Sequence, residues 1–182
     1  MGKAIGMVEY KTVSTGIKAA DTMIKTAAVR IVEAQPVCPG KYIVIITGEL
    51  SAVKASVDAS KALCQSELID SFVLGNPHES IIPAIYGGMK IENARALGVL
   101  ETFSAASIIV AADAAAKTSQ VDLIELRIAR GMCGKSYMLL TGEVAAVQAA
   151  IERAKQEVGE NSMYLNSSVI ANPDKNLWDS IL

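Results

Sequence analysis

The chain has 182 residues, enough for one larger domain or two small ones of roughly 90 residues each. A net charge of −2, with Lys and Arg scattered, gives no basic stripe for nucleic acid or an acidic membrane surface. Hydrophobic residues reach 51% but aromatics only 4%, so the core must be built from Ala, Val and Ile in tightly layered units.

Ala4 to Tyr10 reads as a strand. Ser14 is expected to cap a helix running to about Ala27, with Ile17, Ala20, Ile24 and Ala27 at helical spacing as its apolar stripe. Val29 to Ala34 and Lys41 to Thr47 read as two further strands around the loop Gln35-Pro36-Val37-Cys38-Pro39-Gly40. Gly48 turns the chain into a helix from about Leu50 to Gln65, whose apolar face is Val53, Val57 and Leu63 or Cys64. Leu68 to Leu74 is a fourth strand, and Glu79 to Ile85 a short closing helix. The order β-α-β-β-α-β predicts a ferredoxin-like α/β sandwich.

The pattern then returns. Ala4-Ile5-Gly6-Met7-Val8-Glu9 matches Ala96-Leu97-Gly98-Val99-Leu100-Glu101 at an offset of 92. Ala19-Ala20-Asp21 and Lys25-Thr26 match Ala111-Ala112-Asp113 and Lys117-Thr118 at the same offset. Thr47-Gly48-Glu49 matches Thr141-Gly142-Glu143 at an offset of 94, and Asn76-Pro77 matches Asn172-Pro173 at 96. The chain is therefore a tandem repeat with two small insertions, the first in the cysteine loop. The expected domains are residues 1–86 and 96–182, joined by a polar linker over 87–95 that holds Gly87-Gly88, Lys90, Glu92, Asn93 and Arg95. Such a pair suggests a fused dimer inside a larger ring.

In the second copy Ser104 is expected to cap an Ala-rich helix. Val121 to Ala129 and Ser136 to Thr141 flank the loop Arg130-Gly131-Met132-Cys133-Gly134-Lys135, and Leu177 to Leu182 forms a short amphipathic helix.

No apolar run reaches the ~18–20 residues of a membrane span. The chain enters a strand pattern at once, without a charged leader or cleavage site, and is expected in the cytoplasm. Three cysteines without paired spacing do not make a disulfide framework. There is no Gly-rich phosphate loop, HExxH or GxSxG. His78, the one histidine, reads as a turn residue before the short helix, and Cys64 as core packing. An enzyme is not expected. A lone Cys38 cannot chelate a metal, but a cysteine on a symmetry axis can, because each copy brings its own thiolate.

Ala-Ile-Gly-Met-Val-Glu at 4–9, Ala-Ala-Asp-x-Met-x-Lys at 19–25, Pro-Gly at 39–40 and Gly-Glu-x-x-Ala-Val at 48–53 resemble the bacterial microcompartment shell domain, and the second copy repeats most of them. The family implies two tandem ferredoxin-like domains forming a pseudohexameric homotrimer. That tile would have a central pore and would meet other shell proteins at its edges. Cys38 before Pro39-Gly40-Lys41, with the Gly-x-x-Gly-Lys frame of Gly131 to Lys135, is similar to the tandem shell proteins of the propanediol-utilisation type. That subfamily implies a [4Fe-4S] cluster at the pore, one per trimer, held by Cys38 from each of three chains. Its implied tasks are electron transfer across the shell or cluster delivery, with a cobalamin reductase or another redox enzyme in the lumen as partner. Val37, Pro39, Gly40, Met132, Cys133 and Gly134 would line the pore loops, and Lys25 and Lys117 the tile edge. Cys133 stands where glycine is usual, and Asn76 and Asn172 where many members carry arginine. The rival readings are an empty metabolite-conducting pore, zinc at the three thiolates, and a duplicated sensor of a small ligand.

Overall fold

The computed structural model describes residues 4–89, 91, 94–159 and 162–182. Of the expected linker, Lys90, Glu92 and Asn93 lie outside the described residues.

The first repeat runs β1 (Ala4–Tyr10), α1 (Val13–Thr26), β2 (Val29–Val37), β3 (Lys41–Gly48), α2 (Leu50–Leu63), β4 (Leu68–Leu74) and α3 (Ile81–Ile85). The second runs β5 (Ala96–Thr102), α4 (Ala105–Thr118), β6 (Val121–Arg127), β7 (Ser136–Gly142), α5 (Val144–Gly159), β8 (Tyr164–Ile170) and α6 (Lys175–Ile181). The two antiparallel sheets have the same order, β2-β3-β1-β4 and β6-β7-β5-β8. The expected ferredoxin-like α/β fold in two copies is what forms.

The registers repeat as well. Glu9 lies opposite Ile43 and Asp70, while Glu101 lies opposite Tyr137 and Asn166. Counterparts are therefore related by 92 residues in the first strand and helix, 94 in the hairpin's second strand and 96 in the last strand.

Every residue of β1 is buried; the strand is central in its sheet, and α1 and α2 cover the face that carries Ala4, Val8 and Tyr10. Val8, Tyr10, Val44, Ile46, Val53, Val57 and Met23 meet in that layer, and Cys64 is half-buried against it. Helix α1 can come close because Gly16 has no side chain: a Cβ there would stand 2.4 Å from Tyr42. The Tyr10 hydroxyl ends the layer on the Ser60 carbonyl at 2.8 Å.

Four expectations on the elements are corrected. Ser14 is not the cap of α1; Thr12 precedes the helix, and its side chain makes no capping bond. The buried face of α1 is Gly16, Ala19, Ala20 and Met23, while Ile17 and Ile24 point outward. Helix α2 stops at Leu63, which is exposed, and a single 3-10 turn over Gln65–Glu67 leads to β4. Strand β2 continues through Pro36 to Val37, which an edge strand tolerates because proline's missing N–H faces no neighbour. Ser104 does cap α4, its hydroxyl accepting the Ser107 amide at 3.0 Å.

The chain forms two compact units whose limits cut across the repeats. The first holds residues 1–77 with Ser104–Ser107 and Ala129–Gly134; the second holds His78–Phe103, Ile108–Ile128 and Lys135–Leu182.

Candidate functional site: the paired loops and their buried carboxylate

Two loops meet within the first unit. One turns β2 into β3 through Val37, Cys38, Pro39 and Gly40; the other is the segment Ala129–Gly134. The Cys38 amide donates to the Ala129 carbonyl at 3.2 Å, and the Gly40 amide closes the turn on the Val37 carbonyl at 2.9 Å. The Cys38–Pro39 peptide is cis. Gly40 sits at φ 113, which suits a residue without Cβ. Gly131 and Gly134 have φ of 69 and 88. Ala129 and Cys133 adopt left-handed backbone as well, at φ 58 and 50. A Cβ on Gly134 would lie 3.2 Å from Pro39 and 3.0 Å from the Lys41 side chain, so the loops are in close contact there.

Lys41 joins them. Its Nζ donates to Glu9 Oε1 at 2.9 Å and to the Gly134 carbonyl at 3.3 Å. Glu9 is fully buried, and its other oxygen accepts the Ala105 amide at 2.9 Å, at the start of α4. Burial pushes the Glu9 carboxyl above the usual carboxylate range, and nearby Asp70 adds to this; Lys41 and the Ala105 amide oppose it without cancelling it. Asp70 accepts from the hydroxyls of Ser104 and of Ser107, the latter at 2.6 Å. A carboxylate pair thus organises the first turn of α4 from below the loops.

Above them lies an open concavity of about 440 Å³, lined by Pro36, Val37, Cys38, Pro39, Gly40, Arg130 and Gly131. Arg130 is its one cation, and it pairs with the nearly buried carboxylate of Glu33, which Gln35 also contacts. Cys38 is a half-buried free thiol in this lining, and Cys133 is a free, exposed thiol in the facing segment.

The structure therefore brings together Val37, Cys38, Pro39, Gly40 and Gly134 from the expected pore set, with Met132 and Cys133 in the same segment as Gly134. Lys25 and Lys117 stand in the last turns of α1 and α4, paired to Asp21 at 2.7 Å and Asp113 at 2.6 Å. Asp113 also accepts the His78 amide at 2.7 Å, and the His78 ring meets the Ser80 hydroxyl at 2.8 Å, so His78 serves as a turn residue. Sequence reading missed Glu9, Lys41, Asp70 and Arg130. A signal existed for Glu9: it is an acid near the end of an apolar central strand, and it recurs at Glu101.

Comparison with known proteins decides the family. Residues 4–77 and 96–173 each match the BMC domain. The chain belongs to the BMC-domain family. It is a shell protein of a bacterial microcompartment, with two BMC domains in tandem. A microcompartment protein of known structure from Desulfitobacterium hafniense is similar to it at 45% identity and a TM-score of 0.86, over 98% of this chain and 99% of that one. The bacterial microcompartment shell protein PduT of Citrobacter freundii is 36% identical over 98% of this chain and 97% of its own length. The shell protein PduA of the same organism is 38% identical over 86 residues, 44% of this chain but 92% of its own. PduA is thus one repeat long, and the present BMC chain is two.

Proposed function

We propose that three copies of this BMC chain close into a ring of six repeats, and that the Cys38 loops at its centre hold a [4Fe-4S] cluster. The observation that carries the ring is an unequal pair of helix faces. Val13, Ile17 and Ile24 of α1 are 38%, 55% and 47% exposed, while their counterparts Ala105, Ile109 and Ala116 of α4 are buried. A duplicated domain that buries a face in one copy and leaves it open in the other calls for a further copy on the open face. Such a contact is head-to-tail, and it closes when the ring is complete. Other shell proteins would then meet this tile at its edges, where Lys25 and Lys117 stand.

The donor chemistry supports the cluster reading only on a symmetry axis. Among the described residues of one chain, no three His, Cys, Asp or Glu side chains converge. Cys38 supplies one thiol per chain, on a turn fixed by two backbone hydrogen bonds, so three-fold symmetry supplies three equivalent thiolates. Thiolates are the usual protein ligands of iron–sulfur clusters, so a fourth iron site would take a non-protein ligand. When bound, the cluster supplies one-electron chemistry, for transfer across the shell or for delivery to a redox enzyme such as a cobalamin reductase in the lumen. The chain's own contribution is to hold the thiol, to keep Arg130 beside it, and to fix both loops through Lys41.

The test is anaerobic purification with an absorption spectrum, metal analysis and sedimentation. A brown trimer with about four irons and four sulfides is expected, and Cys38→Ser keeps the trimer while losing the colour. A trimer that stays colourless after reconstitution with iron and sulfide overturns the cluster and leaves a metabolite pore. Zinc in place of iron makes the site a structural one.

A further inference from the structure

The carboxylate–lysine strut of the first repeat has a counterpart in the second that is unfinished within the chain. Glu9 and Lys41 belong to repeat one, yet both act on repeat two: Glu9 takes the Ala105 amide and Lys41 takes the Gly134 carbonyl. The counterparts of this donor pair are Glu101, opposite Tyr137 as Glu9 is opposite Ile43, and Lys135, the residue just before β7. The counterparts of their targets are the Val13 amide and the Gly40 carbonyl. Within the chain Lys135 is exposed, Glu101 is half-buried, and neither side chain has a partner among the described residues. The targets are open too. Thr12 gives α1 no side-chain cap, and Gly40 is exposed. By contrast, α4 has Glu9 on its first amide and Ser104 on a later one.

We propose that Lys135 of one copy donates to the Gly40 carbonyl of the next copy while pairing with Glu101 of its own chain, and that this Glu101 accepts the Val13 amide of the same neighbour. The partner copy thereby completes the Cys38 loop: residues 38–40 are held from one side by their own chain and from the other by an adjacent lysine. Further counterparts fall into the same contact. Asn166 replaces Asp70 opposite Thr12 and Thr15, which replace Ser104 and Ser107, and the Asp174 amide replaces that of His78 opposite Asp21. In the isolated chain Thr12 and Thr15 bond to each other at 2.8 Å, and among the described residues Asn166 accepts only its neighbour's amide. The junction inside the chain is thus anchored by two carboxylates, and the junction between chains by one carboxylate and one amide.

This inference rests on the three-copy ring, and the experiment separates the two. Sedimentation of the intact protein reads the ring. Lysine acetylation of the same sample, followed by peptide mass spectrometry, reads Lys135 against the exposed Lys54. The expected result is a trimer in which Lys135 is acetylated much more slowly than Lys54. Lys135→Met should raise the trimer's dissociation constant at least about tenfold, the loss expected when one member of a buried interfacial charge pair is removed. A trimer in which Lys135 reacts as fast as Lys54 and Lys135→Met dissociates like the parent overturns the strut and leaves the ring standing. A monomer overturns both. Because Lys135 is exposed in the single chain, the variant's monomer folds as the parent does.

Discussion

Helices α1 and α4 hold the same place in their repeats and share the signature Ala-Ala-Asp followed by Lys-Thr, yet their environments differ. Helix α4 is buried nearly all round: Ala105, Ile108, Ile109, Ala112 and Ala115 have lost their solvent contact, and Asp113 is tied to both Lys117 and the His78 amide. Helix α1 buries only the face toward its sheet, and its Asp21–Lys25 pair stands in solvent. Residue type does not explain this, since Ile17 is as apolar as Ile109. What differs is solvent contact: the face is closed on α4 and open on α1. In the proposed three-copy ring, the difference would separate residues that build the domain from residues that join one domain to the next.

The strongest way to break the comparison is to place a charge on each helix at the same position. Ile109→Glu buries an unpaired carboxylate and should cost several kcal/mol, enough to abolish soluble folded protein. Ile17→Glu should leave the circular dichroism spectrum and unfolding midpoint of the monomer unchanged but abolish the trimer in sedimentation. A trimeric Ile17→Glu would show that the open face of α1 is not a junction.

A second test concerns the packing beneath the helices. Gly16 faces Tyr42 in the first repeat, while the corresponding positions in the second carry Ile108 and Ser136, so a large residue has moved from strand to helix. Gly16→Ala should destabilise by about 1–3 kcal/mol through overpacking. Adding Tyr42→Ser should recover part of that loss in urea unfolding. Equal stability of Gly16→Ala and the parent would mean that α1 can lift off β3 without cost.

A smaller effect separates the two aspartates. Asp113→Ala removes the acceptor of two donors at a nearly buried site and should cost about 1–3 kcal/mol. Asp21→Ala removes an exposed i,i+4 pair and should change stability by less than about 0.5 kcal/mol. Matching losses in thermal unfolding would show that the two helices are equally supported.

The smallest effect is a pH dependence. The folded chain holds the Glu9 proton to higher pH than the unfolded chain does, because burial raises this carboxyl above its ordinary 4.5. Its contribution to stability is therefore greatest below that ordinary value. It declines as the pH climbs through the raised one. The stability of the parent relative to Glu9→Gln should fall across that window and flatten above it, measured by urea unfolding at a series of pH values. A difference independent of pH would mean that Lys41 and the Ala105 amide offset burial fully.

Much of the fold was legible because duplication lets each half check the other. Strand β1 repeats as β5 with its glycine and its penultimate glutamate, and Ser104 announced the start of α4. The stripe of Ile17 and Ile24 was legible as apolar but not as external: helical spacing shows that a face is to be covered and not what covers it. Ser14 misled because a serine near a helix start is a good cap only when it stands just before the first turn, and Thr12 holds that place. At the site, the Cys38 loop was visible through its prolines and glycine. The strut below it was not, because Glu9 and Ala105 are 96 residues apart and belong to different repeats, so no local pattern joins them. Arg130 was hidden for the same reason, its partner Glu33 lying in the other repeat.

The limits of the compact units also have a consequence for the order in which the chain is made. A ribosome releases the whole first repeat before any of the second, and repeat boundaries would suggest that it folds to completion at once. Its compact unit, however, includes Ser104–Ser107 and Ala129–Gly134. Until residue 105 emerges, Glu9 lacks one of its two partners; until residue 130 emerges, Glu33 lacks its arginine. The nascent first half therefore waits on the second for its last contacts, and the Cys38 loop reaches its final form only late in synthesis, when the facing segment has been added.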